Sequence, residues 1–402
     1  MMNDLKERFQ EVFQQPADSV FSAPGRVELG GNHTDHQHGL VLAAAVDLDT
    51  KAAVRANGTG VIRIISEGHT DSEVDLGDLS VHPEEKGTSA SLVRGICAGL
   101  KNRGGRVHGF DAFVTSRVLT GGGLSSSASF EILIGTVLNS LFNGNAFTPL
   151  DLALIGQFAE NRYYGKPSGL LDQMTCASGG VVTIDFKDTM QPEVKKMDLD
   201  LRNFGYALCI IDTGADHRDL TEDYAAIVAE LKELCAVFGK EVLREIPEEE
   251  FYRHIPEVRK AAGDRALLRA IHIYEENRRV VRETEALVRG DFSAYLREVR
   301  ASGRSSWEYL QNVIPCGRTR RQEMAAVLAL TAHLLGEEGA SRVQGGGFAG
   351  SVQAYVPLDK LSAFQESIGS YLGPDKCTAV AFRAAGGICV DGAENGPEKP
   401  EK

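Results

Sequence analysis

With 402 residues, 43% of them hydrophobic, and 43 Lys and Arg against 56 Asp and Glu for a net charge of −13, the chain is long enough for a large core and acidic overall. That charge disfavours a basic nucleic-acid footprint and a polybasic membrane anchor, so small-molecule chemistry is the better expectation. Glycine is in excess at 43 residues, about half again the average usage, without a collagen period.

The chain opens on MMNDLKERFQEVFQQ, a charged amphipathic stretch without an apolar signal core, and no later segment approaches the roughly 18 to 20 apolar residues that span a bilayer. Strand patterns follow in SVFSAPGRVEL (19–29), LVLAAAVDLDTKAAVRA (40–56) and VIRIIS (61–66), then a helix in SLVRGICAGLKNR (91–103). A strand in GFDAFVTSRV (109–118), a loop in GGGLSSSAS (121–129) and a helix in FEILIGTVLNSLF (130–142) come next; Phe130, Ile134, Val137, Leu138 and Leu141 recur at helical spacing. A helix through DLALIGQFAENRYYG (151–165) leads to a glycine-rich loop, SGLLDQMTCASGG (168–180), and the strand GVVTIDF (180–186). The charged stretch KDTMQPEVKKMD (187–198) reads as a boundary near residue 190. The second half begins with a strand in YALCIIDTG (206–214) and continues with long charged helices from Leu220 to about Ala301. It closes with RVQGGGFAGSVQAYVP (342–357), a helix from Leu358 to Leu372 and a strand in TAVAFRAA (378–385). GAENGPEKPEK (392–402) has no aromatic or branched apolar residue and reads as a disordered tail. The expected class is α+β, with domains 1–190 and 191–391 and the tail 392–402.

Several patterns point elsewhere and fail on context. HTDHQH sets His33, Asp35, His36 and His38 close together, but no second ligand motif accompanies them and His69, His82 and His108 sit singly, against a metal hydrolase. HRDLTEDY (217–224) has the look of a protein-kinase catalytic loop, yet Tyr224 stands where Asn is required and no D-F-G or A-P-E follows. Gly345, Gly347 and Gly350 satisfy G-x-G-x-x-G but run into a strand rather than a helix, and no G-x-x-x-x-G-K-[ST] occurs. Seven cysteines without a C-x-x-C pair argue against a disulfide framework and for the reducing cytoplasm.

GGGLSSSAS is different because it lies between a strand and an amphipathic helix. Its glycines let the backbone approach a bulky anion while free N–H groups at the helix start point at it, and its serines add hydroxyls for phosphate oxygens or Mg²⁺. A flexible Gly/Ser linker would not be wedged in that position.

Three separated segments in order, APGRVELGGNHTDHQHG (23–39), GGGLSSSASFE (121–131) and GGGFAGSVQAYV (345–356), resemble the galactokinases of the GHMP small-molecule kinase superfamily. AENRYYGKPSGLLDQM (159–174), IDTGADHRDLTEDY (211–224) and HIYEENRRV (272–280) match as well, so the resemblance covers nearly all of the chain outside the tail. It implies a two-domain GHMP kinase fold with mixed sheets, packed helices and an active site in the interdomain cleft. It also implies ATP-dependent transfer to the anomeric hydroxyl of galactose, with Gly121, Gly122, Gly123, Leu124, Ser125, Ser126, Ser127, Gly346 and Gly347 around the ATP phosphates. Ser127 and Glu160 would hold Mg²⁺, Asp172 would be the catalytic aspartate with Arg26 beside it, and Asn32, His33, Asp35, Gly169 and Tyr224 would face the sugar. Taken without the motif, Glu160 would read as an exposed helix acid paired with Arg162 or Lys166. The expected partners are the sugar and ATP, not nucleic acid or a membrane, and the expected assembly is a monomer or weak oligomer.

The sequence departs from the family at Asn32, where a glutamate usually helps hold the sugar's 6-hydroxyl. An amide would no longer repel a substrate carboxylate, which raises galacturonate or arabinose as rival substrates; galactose stays first because the other motifs follow the galactokinases. A catalytically silent sugar sensor on the same fold is the rival from another class, disfavoured by the intact serine loop. His36 and His38 replace the usual Tyr and Asn and read as loop or surface residues. Val343, Gln344 and SGRSSWEYL (302–310) also depart and are expected to lie away from the chemistry.

Overall fold

The computed structural model describes residues 2–119, 121–215 and 220–391. The tail expected from 392 onward lies outside these residues, as do positions 216–219 of the kinase-like segment. In chain order the elements are α1 (Met2–Phe13), β1 (Ser19–Gly30), β2 (Leu40–Ala56), β3 (Val61–Ser66), β4 (Ser72–Asp75), α2 (Ser89–Asn102), β5 (Phe110–Ser116), α3 (Ser126–Asn143), α4 (Pro149–Ala159), α5 (Leu171–Ser178), β6 (Val181–Asp185) and β7 (Glu193–Met197). They continue with β8 (Tyr206–Asp212), α6 (Thr221–Ala236), α7 (Glu248–Arg253), α8 (Ile255–Val288), α9 (Phe292–Ser305), α10 (Glu323–Leu335), β9 (Ala340–Gln344), β10 (Ser351–Pro357), α11 (Leu361–Leu372), β11 (Cys377–Val380) and β12 (Ile388–Cys389).

Two sheets result, the larger mixed and the smaller antiparallel. The larger sheet has eight strands in the order β12-β1-β2-β5-β3-β4, with β6 on β2 and β7 on β6; the smaller runs β11-β8-β10-β9. The seventeen-residue β2 organises the first sheet, pairing with β1 along one edge and with β6 (through Leu40–Ala44) and then β5 (through Thr50–Ala56) along the other. The larger sheet draws on both sides of the expected division at residue 190, because β7 and β12 both belong to it. The charged run 187–198 therefore contains an edge strand, which its lysines suit.

Helices α2 to α5 cover the larger sheet through a core that includes Val93, Ile96, Ile132, Leu133, Val137, Ile155 and Met174, all buried. Their ends are set locally: the Thr148 hydroxyl accepts from the Asp151 N–H while Asp151 answers the Thr148 N–H, with Pro149 opening α4. A second core, including Val27, Leu29, Leu208, Ile210, Val280, Tyr295 and Tyr355, joins β1 to the smaller sheet and to α8 and α9. That shared core brings β1 and the third glycine-rich segment together. No helix among the described residues is long and apolar enough to cross a membrane, and all seven cysteines are free thiols.

Candidate active site

β1 presents Arg26 and Glu28 on one face while Val27 and Leu29 turn into the core, as alternation along a strand requires. The Arg26 N–H donates to the Leu124 carbonyl at 3.0 Å, and a Cβ at Gly25 would come within 2.9 Å of that oxygen, so β1 and the first glycine loop touch backbone to backbone. The Arg26 guanidinium reaches Asp172 Oδ1 at 2.7 Å from Nε and 2.6 Å from the second amino group, and it also donates to the Gly123 carbonyl. Ser125 Oγ donates to Asp172 Oδ2 at 2.5 Å. Ser125 is left-handed (φ +56°), a break that ends the loop and starts α3 at Ser126 rather than at Phe130.

Asp172 lies in the first turn of α5, not in a loop. Leu171, Met174 and Thr175 are buried, and the flanking glycines that suggested a loop sit at the ends of this short helix. Gly169 is required by its neighbour, since a Cβ there would stand 1.9 Å from Asp35 Oδ2. Burial opposes ionisation of Asp172, but Arg26 and Lys166 with the Ser125 and Arg26 hydrogen bonds outweigh it and hold the carboxyl below its ordinary range. Asp35 goes the other way, pushed up to about 7 by burial and by the neighbouring Asp172 and Glu28. Burial likewise works against the Arg26 charge, yet Asp172 and Glu28 more than compensate.

Towards α4 the serine loop meets a second carboxylate. Ser127 Oγ donates to Glu160 Oε1 at 3.0 Å, and Lys166 Nζ reaches the same oxygen at 2.9 Å. Gln173 Nε2 bridges Glu160 Oε2 (2.8 Å) and Glu131 Oε2 (3.0 Å). Glu160 is fully buried where a π-helical turn, 160–164, follows α4, so it is not the exposed acid expected without the motif, even though Lys166 is its partner. Burial and then Glu160 raise the pKa of Glu131 well above the carboxylate range.

The third glycine segment closes the other side. His33 Nε2 faces the Gly346 carbonyl at 3.0 Å, His36 Nε2 faces His33 Nδ1 at 3.2 Å, and Gln37 Nε2 faces His36 Nδ1 at 3.2 Å. Because a carbonyl only accepts, this chain assigns the protons: Gln37 donates to His36, His36 to His33, and His33 to Gly346. Burial pushes His33 down to about 4, and burial with the adjacent His33 pushes His36 down to about 3, so both rings are neutral. Tyr224 Oη donates to the Gly347 carbonyl at 2.7 Å.

Two family models match, the galactokinase galactose-binding signature over residues 7–56 and the N-terminal domain of GHMP kinases over residues 91–180. A galactokinase of Streptococcus suis is 33% identical over 373 residues, 91% of this chain and 92% of that protein. The chain belongs to the galactokinase family. Among solved structures, Lactococcus lactis galactokinase complexed with galactose superposes with a TM-score of 0.82 at 26% identity, covering 96% of this chain and 99% of that one. Mevalonate kinase of Methanococcus jannaschii shares the fold alone, with a TM-score of 0.63 at 15% identity, covering 90% of this chain and 98% of that one.

Within this family member, Arg26, Ser125, Asp172, Asp35 and Gly169 form one cluster, Ser127 and Glu160 a second, and Asn32, His33, Tyr224, Gly346 and Gly347 a third. Gly121 (φ +74°) and Gly123 (φ +65°) bend the first loop, the Gly122 carbonyl accepts from Ser351 Oγ at 2.6 Å, and Leu124 is buried beneath it; Ser126 opens α3. Asn32, expected to face the sugar, is fully enclosed, and its amide is hydrogen-bonded to Glu28, to the Gly345 carbonyl and to Asn312. His36, expected in a loop or at the surface, is half-buried in the short 3₁₀ turn 35–37 between β1 and β2 and bonded to His33, while His38, which ends that turn, is a left-handed, half-buried residue (φ +57°). Two departures expected to lie away from the chemistry lie against it. Gln344 Nε2 donates to the Gly123 carbonyl at 3.0 Å, and Ser306 of SGRSSWEYL reaches Asn32 Oδ1 at 3.3 Å. Sequence reasoning gave no active-site role to Lys166, Gln173, Glu131 and Asn312; the first three lie inside matched motifs and were open to discovery there, whereas Asn312 lies in none.

Proposed function

We propose that this kinase transfers the γ-phosphoryl group of ATP to the anomeric hydroxyl of galactose, giving galactose 1-phosphate and ADP. The observation that carries the reading is the Arg26–Asp172–Ser125 cluster, which joins the sugar motif to the phosphate loop at one carboxylate. ATP phosphates lie against the Gly121–Ser127 loop, where the start of the eighteen-residue α3 supplies N–H groups and a positive dipole end. Gly346 and Gly347 face the phosphates from the other side.

Asp172 orients the anomeric hydroxyl. Its lowered pKa makes it a weak base before transfer begins, so it receives the proton late, when the bond from the sugar oxygen to phosphorus is largely formed and the hydroxyl has become acidic. Arg26 keeps the carboxylate ionised and in place. The transfer is direct, with no phospho-enzyme. Ser127 and Glu160 would hold a magnesium ion, a hydroxyl and a carboxylate oxygen 3.0 Å apart beside the phosphate loop, with Lys166, which pairs with that same carboxylate oxygen, giving way to it. Such an ion, when bound, would supply charge neutralisation at the ATP phosphates.

Asp35 favours galactose over galacturonate. Burial and the neighbouring Asp172 and Glu28 push its pKa up to about 7, and a substrate carboxylate would add a further negative charge beside them. The case for a uronate rested on Asn32 facing the substrate, and Asn32 is enclosed. The test is ADP release from ATP and Mg²⁺ with galactose, galacturonate and arabinose in parallel. Galactose is expected to support turnover and galacturonate not; turnover on galacturonate exceeding that on galactose, or no turnover on any sugar, would overturn the reading.

A further inference from the structure

We propose that Asn32 is a positioning residue that clamps the third glycine segment to the sugar motif and makes no contact with the sugar. The proposal rests on the kinase reading and adds a role for one residue within it. Asn32 is fully buried. Its Nδ2 donates to Glu28 Oε1 at 2.9 Å and to the Gly345 carbonyl at 2.7 Å, while its Oδ1 accepts from Asn312 Nδ2 at 3.0 Å and from Ser306 Oγ at 3.3 Å. A carboxamide has two N–H donors and two acceptor lone pairs, so nothing is left for a ligand. Its backbone carbonyl is also engaged, by His272 Nε2 at 3.0 Å.

The consequence falls on the glycine segment. The Gly345 carbonyl is held by Asn32, the Gly346 carbonyl by His33 and by Asn312 Nδ2 at 3.1 Å, and the Gly347 carbonyl by Tyr224. In a trans peptide the N–H points opposite to the C=O. Fixing the Gly345 and Gly346 carbonyls on the Asn32 side therefore fixes the N–H groups of Gly346 and Gly347 on the other side, ready for an anion. Asn312 is itself clamped, because the Phe348 N–H donates to its carbonyl at 2.5 Å. A segment that leads into β10 has no helix to orient its N–H groups, and these side chains do that work.

The arrangement also says where the buried acid belongs. Glu28 accepts from Asn32 and pairs with Arg342 at 3.0 Å. An aspartate carboxylate at position 32 would face the Glu28 carboxyl and the Gly345 carbonyl, two acceptors, in place of the two N–H groups that the amide donates to them. An aspartate at position 32 would therefore loosen the glycine segment in this chain.

The experiment compares Asn32→Asp with the unaltered protein, measuring kcat, KM for ATP, and the galactose dissociation constant without ATP. Loss of the clamp is expected to lower kcat/KM for ATP roughly ten- to a hundredfold, the scale of one or two buried hydrogen bonds, with galactose affinity changed less than about threefold. The double variant Glu28→Gln/Asn32→Asp, which restores a donor opposite the new carboxylate, is expected to recover part of the loss. A tenfold loss of galactose affinity with ATP kinetics unchanged, or no change at all, would overturn the proposal. If Asn32→Asp does not fold, Asn312→Ala reads the same split: a loss on the ATP side supports the clamp, and a loss on the sugar side or none contradicts it. If the unaltered protein turns over no sugar, the kinase reading fails first. The clamp is then judged by binding of a non-hydrolysable ATP analogue, which Asn32→Asp must still weaken; unweakened binding overturns it.

Discussion

The two glycine-rich segments at the site look alike in sequence and are held by different means. Gly121–Ser127 runs into α3, so a helix start fixes and polarises its N–H groups, and its Gly122 and Gly123 carbonyls are tied down by Ser351, Arg26 and Gln344. Gly345–Gly347 runs into a strand, and its carbonyls are each held by a side chain from elsewhere in the chain. The first loop thus has a helix behind it as well as donors beneath it, and the third segment has the donors alone. The Arg26–Asp172 pair joins the first of them to the sugar motif.

The largest effect is expected at that junction. Asp172→Ala removes the group that orients the acceptor hydroxyl and should lower kcat by about a thousandfold or more while calorimetry still detects galactose; a variant with near-normal turnover would detach the chemistry from this cluster. A smaller effect separates the two loops. Gly123 and Gly347 both have positive φ (+65° and +84°), which costs an alanine about 1–2 kcal/mol at either site, but a Cβ at Gly347 would also lie 2.2 Å from the Asn312 carbonyl, against 3.0 Å from a serine hydroxyl at Gly123. Gly347→Ala should lower the melting temperature and raise the ATP KM more than Gly123→Ala, and the reverse order would mean that the third segment is the less constrained of the two.

The smallest effect is a pH dependence confined to the sugar side. An ionised Asp35 accepts sugar hydroxyls better than its acid form, and its pKa in the free site is about 7. Galactose affinity is therefore expected to be full near pH 8 and to fall about tenfold by pH 6. His33 and His36, at about 4 and 3, stay neutral over that range. Asp35→Asn should flatten the profile, and an unchanged slope in that variant would assign the proton to another group.

Much of this was legible in the sequence because it is local. The long alternation of β1 and β2, the loop between β5 and α3, and the Ser127 to Glu160 pairing all come from patterns or matched motifs. Two elements were hidden for a physical reason. The eight-residue α5 is too short for helical periodicity to show between its glycines, and the edge strand β7 has a solvated, charged composition that resembles a linker. Asn32 shows the deeper limit. Its departure from the family was visible, but its enclosure depends on Ser306, Asn312 and Gly345, some 274 to 313 residues further along the chain, and no spacing rule connects them. The expectation that 302–310 and Gln344 lay away from the chemistry failed for the same reason.

Phosphorus NMR of the product formed from ATP and galactose tests the central claim most directly. Transfer to the anomeric oxygen predicts a phosphate ester coupled to the proton on carbon 1 and appearing together with ADP. An ester at another carbon, or ADP without any sugar ester, would contradict it.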